Sequence, residues 1–214
     1  MLDITIEACV ESVESAVLAQ AGGAHRVELC TALEVGGTTP THDAILRTRE
    51  RLTIGLFVLI RPRGGDFRYL PEEYETMARD VLAAKALGAD GVVIGGLTEG
   101  GEVDRDGVGR LLEAAHPLPA TFHRAFDASR DLDEALDVIQ ELGFRRILTS
   151  GGAPTAEEGI PALRRLVARA NPASILACGT IGENARSIVA QTGVREIHMR
   201  VTRLRAVVNA LAGA

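Results

Sequence analysis

Short aliphatic runs and longer amphipathic stretches alternate along all 214 residues. The runs predict strands at positions 2–9, 25–30, 54–60, 90–94, 119–123, 146–149, 174–178 and 196–199. The stretches predict helices at 12–21, 41–51, 71–87, 104–115, 131–142, 155–170, 182–191 and 202–211. Punctuation supports these limits. Ser12 and Thr41 suit N-caps, Pro71 suits a first helical turn, and Thr155 with Glu158 forms a capping-box pattern. Gly88 and Gly143 stop helices just before strands. A helix between successive strands makes those strands parallel neighbours. Eight such units without a linker or composition break predict a single-domain α/β fold, a (β/α)8 TIM barrel spanning residues 1–214. The rival is a doubly wound open sheet. No phosphate-binding glycine fingerprint follows the first strand, which disfavours it.

The polar positions on the strands carry the chemistry. Glu7 and Cys9 share one face of the first strand, and Glu28 and Cys30 one face of the second. Ile4, Ile6, Ala8, Val27 and Leu29 occupy the opposite faces. Parallel sheets are covered on both faces, so the carboxylates and thiols point into an enclosed interior. Active groups of such barrels gather at strand C-termini. There this chain places Arg61, Arg63 and Asp66 after strand three, and His123, Arg124 and Asp127 around the end of strand five. Ser150 follows strand six, Cys178 strand seven, and His198 and Arg200 lie on strand eight. Strand starts are expected to carry fewer reactive groups. Glu7, Glu28 and His123 are the acid–base candidates, and Arg61, Arg63 and Arg124 suit an anionic group. Asp66, Asp127, Ser150 and His198 complete the candidate ligand-binding set. Structural readings stand beside these: Glu7 and Glu28 pairing with Arg61 or Arg200, and cysteines that simply pack. His25, His42 and His116 are expected at the surface.

Composition narrows the classes. The net charge of −6 gives no electrostatic footprint for nucleic acid. No apolar run approaches a membrane span, and Asp3 and Glu7 interrupt any apolar leader. Three cysteines without a secretory signal fit a reducing cytoplasm.

Several stretches resemble the CutC family. They include Gly36-Gly37-Thr38-Thr39-Pro40, Arg61-Pro62-Arg63-Gly64-Gly65-Asp66, Gly88-Ala89-Asp90-Gly91, Thr121-Phe122-His123-Arg124-Ala125-Phe126-Asp127 and Leu148-Thr149-Ser150-Gly151. The resemblance covers nearly the whole chain. It implies a cytosolic TIM barrel, often a homodimer, linked to copper homeostasis. Two departures from the family pattern stand out. Cys178-Gly179-Thr180-Ile181-Gly182 replaces a Gly-Gly-Gly-Val turn after strand seven, and strand eight passes almost directly into the last helix. A mouth more open to water is expected from both.

Three functions follow. Thiols suit Cu(I), and Cys9 with Cys30 fit one coordination sphere, which makes these two the metal candidates and copper the candidate cofactor. Alternatively, Glu7, Glu28 and His123 serve an isomerase- or lyase-type enzyme acting on a small anionic or polyhydroxylated metabolite. The third reading is a scaffold whose mouth residues are structural.

Overall fold

The computed structural model describes residues 3–213. Strand β1 (Thr5–Val10) leads to helix α1 (Val13–Ala21), then β2 (Arg26–Leu29) to α2 (His42–Arg51). The rhythm continues with β3 (Gly55–Leu59), α3 (Pro71–Ala86), β4 (Gly91–Ile94), α4 (Arg105–Ala115), β5 (Ala120–Phe122) and α5 (Leu132–Leu142). It closes with β6 (Arg146–Thr149), α6 (Ile160–Arg169), β7 (Ser174–Ala177), α7 (Ala185–Thr192), β8 (Glu196–Arg200) and α8 (Leu204–Ala212). The strands pair in order, and β8 pairs with β1 in parallel, so the sheet is a closed barrel. The open-sheet alternative is excluded. The expected start of the first strand, Leu2, lies outside the described residues.

Local chemistry sets most boundaries. Ser12 Oγ accepts from Ser15 N at 3.1 Å and Thr41 Oγ1 from Ala44 N at 3.2 Å, capping α1 and α2. Gly143 ends α5 at φ 90°, in the left-handed region open to glycine. Two expected helix starts move. Thr155 Oγ1 accepts from Glu158 N at 3.2 Å and donates to Glu158 Oε1 at 2.8 Å, so only half of the capping box forms, and α6 begins only at Ile160. Ala156 N–H donates instead to Gly179 O at 2.8 Å, and Gly159 lies against the Ser150 carbonyl, so 155–159 turns toward the mouth loops. Likewise α7 starts at Ala185, because Asn184 Oδ1 folds back onto Gly182 N at 2.9 Å.

Outward faces of the strands meet the helices in one aliphatic core, with Val27, Leu56, Val58, Val92, Phe122, Ile147 and Ile197 fully buried. The lumen is separate. Strand register and the period of two stack its side chains in tiers from alternate strands. The lowest tier is Arg26, Gly91, Arg146 and Glu196. Above it come Glu7, Phe57, Thr121 and Leu176, then Glu28, Val93, Leu148 and His198. Cys9, Leu59, His123 and Cys178 form the tier nearest the mouth. The Phe57 ring fills the floor over Gly91, flanked by the guanidinium groups of Arg26 at 5.4 Å and Arg146 at 5.1 Å.

Gly91 therefore provides space. A Cβ there would lie 2.2 Å from Phe57 Cε1. Gly91→Ala is expected to destabilise the barrel by about 1–3 kcal/mol, the usual cost of overpacking. Phe57→Leu in the same chain should recover part of that loss. Gly109, inside α4 with open space around its Cβ position, is the control. Gly109→Ala should stabilise by about 0.5–1 kcal/mol. Urea denaturation checks all three, and an indifferent Gly91→Ala would contradict the packing.

Candidate functional site

A column of ionic contacts climbs the lumen. Arg146 Nε lies 2.8 Å from Glu196 Oε2, and Arg26 Nη2 lies 2.6 Å from the same oxygen. Arg26 Nε donates to Glu7 Oε2. Glu7 Oε1 meets His198 Nδ1 at 2.8 Å, and His198 Nε2 lies 3.5 Å from Glu28 Oε2. Two expectations change here. Strand starts are not poor in reactive groups, because Arg26, Arg146 and Glu196 all stand there facing inward. Glu7 pairs with Arg26 and His198 rather than with Arg61 or Arg200, since the register sets Arg26 beside Glu7 on one side and His198 on the other.

The column fixes protonation. Burial alone would raise Glu7, but the Arg26 guanidinium and His198 outweigh it and hold the carboxyl at about 2. Burial raises Glu28 above the ordinary carboxylate range, with His198 opposing. Burial works against charge on His198, yet the Glu7 hydrogen bond and the Glu28 carboxylate lift it above the ordinary imidazole value. His198 thus sits between two acids that both favour its protonated form.

Above the column, Cys9 Sγ and Cys30 Sγ approach to 3.5 Å as free thiols. The contact with Cys30, burial and the nearby Glu28 charge all push the Cys9 thiol up. Both sulfurs, Glu28 and His198 line a mouth cavity of about 490 Å³, together with Arg61, Phe67, His123, Arg124, Cys178, Arg200 and Arg203. The barrel ends thus bring five of the sequence candidates to one cavity floor or wall beside the paired thiols.

His123 has one role closed to it. Its Nδ1 accepts from Ala125 N at 3.2 Å, so the hydrogen-bond network assigns the ring proton to Nε2, which has no partner. Burial and the Arg61 charge lower its pKa to about 3. At neutral pH it is a neutral donor and not a ready base. Phe67 lies between the two, its ring 5.0 Å from the His123 ring and 4.8 Å from the Arg61 guanidinium carbon. Arg61 itself is buried and spends its donors on the Val35, Gly37 and Gly65 carbonyls at 3.1, 2.9 and 2.8 Å.

Other candidates sit apart. Asp127 accepts from Thr149 Oγ1, from Gly152 N at 2.9 Å and from Arg124 Nε at 2.9 Å, stitching the loop after β5 to the loop after β6. Ser150 Oγ accepts from Arg124 Nη2 at 3.0 Å and donates to Ala153 O at 2.6 Å. Neither Asp127 nor Ser150 lines the cavity. Arg63 pairs with Glu73 at 2.6 Å and Asp66 at 3.0 Å, and this cluster also lies off the cavity. His25, His42 and His116 are exposed, as expected. The sequence reading passed over Arg26, Arg146 and Phe67. Arg26 was within reach, because the same period of two that linked Glu28 to Cys30 also includes it.

A closed (β/α)8 barrel with thiols, carboxylates and an imidazole converging at its mouth defines the class. The match to known proteins is more specific: the CutC family model covers residues 4–202. The chain belongs to the CutC family. It is 51% identical over 195 residues to a family protein CutC of Bacteroides thetaiotaomicron, covering 90% of this chain and 78% of that one. It is 45% identical over 195 residues to the copper homeostasis protein cutC homolog of Homo sapiens, covering 90% and 71%. The crystal structure of CutC from Streptococcus agalactiae superposes with a TM-score of 0.87 at 36% identity, covering 92% of this chain and 99% of that one. Thiamine phosphate pyrophosphorylase from Pyrococcus furiosus shares the fold alone, at TM-score 0.65 and 19% identity, covering 99% and 97%. Among the described residues no helix is long and apolar enough to cross a membrane.

The ion column makes a stability test. Glu7→Gln removes the carboxylate that Arg26 and His198 share, leaving each with one acidic neighbour, Glu196 and Glu28, and should cost about 3 kcal/mol at pH 7, the low end of the range for breaking a buried pair. Glu7 has a depressed folded pKa, so its contribution is complete above the ordinary value of 4.5 and fades as pH falls toward about 2. The stability gap between wild type and variant is therefore expected to narrow from pH 5 to pH 2 in urea titrations. A gap that stays constant with pH would contradict the assignment.

Proposed function

We propose that this chain is a Cu(I)-binding protein of copper homeostasis, with the metal held between Cys9 and Cys30. One observation carries the reading: two free sulfurs from neighbouring strands lie 3.5 Å apart at the floor of a cavity that opens to solvent. The donor set fits the ion. Cu(I) is soft and prefers thiolates, whereas the surrounding Leu33, Leu59 and Phe57 shield the pair from water. The name carried by the human relative agrees with this role. Binding must displace the thiol protons, and the raised Cys9 thiol makes that displacement costly at low pH. A reducing cytoplasm would keep both thiols available.

Titration of the reduced protein with Cu(I) against a chromophoric chelator tests the reading. Wild type should take up one equivalent, more tightly as pH rises. Cys9→Ala and Cys30→Ala should each lower affinity by at least tenfold. Unchanged affinity in the double variant would remove the thiol site.

The cavity's volume favours a second reading. About 490 Å³ is far more than an ion needs and falls within the range of small-molecule pockets. Arg124, Arg200 and Arg203 on its wall suit an anionic metabolite, and Glu28, whose carboxyl burial raises above the ordinary range, is its acid–base candidate. A thermal-shift screen of sugar phosphates and keto acids should then raise the melting temperature for some members, and Glu28→Gln should abolish any turnover found with them. Silence across the panel would dismiss the enzyme.

A further inference from the structure

The column and the thiols meet at one point that neither reading above uses fully. Cys9 Sγ, a Glu28 carboxylate oxygen and a His198 ring nitrogen all lie within 4.8 Å of one another. They come from β1, β2 and β8, three adjacent strands of the closed sheet, so the backbone holds them rigidly. Cys30 lies beside Cys9 but outside this trio.

We propose that this point is a divalent-cation site of the zinc class, with Cys9 Sγ, Glu28 and His198 Nε2 as its three protein ligands and Glu7 as the carboxylate that orients the imidazole. It shares the cavity floor and Cys9 with the Cu(I) reading but differs in ligand set, so either can fail alone.

Four features support it. First, Glu7 Oε1 holds His198 Nδ1 at 2.8 Å, which leaves Nε2 turned toward Glu28. A carboxylate fixing the far nitrogen of a histidine is the usual support of a metal-bound imidazole. Here Arg26 anchors the carboxylate in turn, giving a chain of orientation from floor to ligand. Second, the donors are mixed. One thiolate, one imidazole and one carboxylate suit a borderline cation such as Zn2+, while Cu(I) prefers sulfur and Mg2+ or Ca2+ prefers oxygen. Third, the charges suit a dication. Glu7 Oε1 and Glu28 Oε2 lie 2.8 and 3.5 Å from the two ring nitrogens of His198, so two carboxylates face the point where the ion would sit, and ligation by Cys9 would release its thiol proton to solvent. Fourth, three ligands at a cavity floor leave one position facing open space, as zinc sites that bind water or substrate do.

Co2+ is the probe, because a thiolate ligand gives it a charge-transfer band and a near-tetrahedral site gives intense visible bands. Reduced wild-type protein should bind one equivalent with both signatures, and Zn2+ should erase them. Cys30→Ala should keep the Co2+ spectrum while losing Cu(I) affinity. His198→Ala should keep Cu(I) affinity while weakening Co2+ by at least tenfold, and Cys9→Ala should remove the charge-transfer band. His198→Gln serves if the alanine variant unfolds, with circular dichroism checking each protein. No charge-transfer band in wild type, or an unaltered Co2+ affinity in a folded His198 variant, would overturn the proposal. Absent Cu(I) binding with the Co2+ bands intact would instead overturn the copper reading alone.

Discussion

The contact between Arg26 and Glu7 governs the interior of this barrel. A carboxylate buried in a lumen of side chains would ordinarily take up a proton. Arg26 keeps Glu7 ionised, and an ionised Glu7 in turn keeps His198 charged and aimed. Arg26 is itself held by Glu196, which Arg146 shares. Two arginines and two glutamates thus balance at the floor, and the imidazolium balances Glu28 above them. The balance matters because an unpaired charge at this depth would cost several kcal/mol. Phe57 fills the remaining floor, between the two guanidinium groups and over Gly91, so side chains pack the lumen below the mouth cavity.

Much of this was legible in the residues. The alternation of strand and helix, with Ser12, Thr41 and Gly143 marking ends, implied the closed barrel, and the period of two placed Glu7, Cys9, Glu28 and Cys30 on the inner face. Harder to foresee were partners. Periodicity tells which face a side chain occupies, but the register between strands decides what lies beside it. Arg26 is opposite Glu7 only because β2 enters the sheet at that height. The contacts of the motif residues were equally hidden from periodicity. Arg63, Asp66 and Asp127 stand out in sequence, yet their charges go to loop closure. Loops at a barrel mouth need their own hydrogen bonds, and short polar side chains beside glycines supply them. His123 shows the same limit: its place at a strand end suggested a base, while the Ala125 amide and Arg61 make it a neutral donor.

The loops after β7 and β8 shape the mouth. Thr180 takes φ 57°, a left-handed turn unusual for a branched residue, and lies on the cavity wall. One 3-10 turn over Val201–Arg203 joins β8 to α8, so Arg200 and Arg203 stay at the rim rather than being carried away on a long loop. A short connection thus leaves the thiols and His198 reachable while adding positive charge around the entrance. The ionic floor, the reactive middle tiers and the cationic rim form a gradient from fixed structure to accessible chemistry.

The protonation of His198 reports directly on the column. Nitrogen chemical shifts of its imidazole, followed by NMR through a pH titration of the metal-free protein, should show the ring losing its proton above the ordinary histidine value. A ring that loses its proton at or below that value would mean that Glu7 and Glu28 do not hold it as a cation, and the account of the lumen would fail.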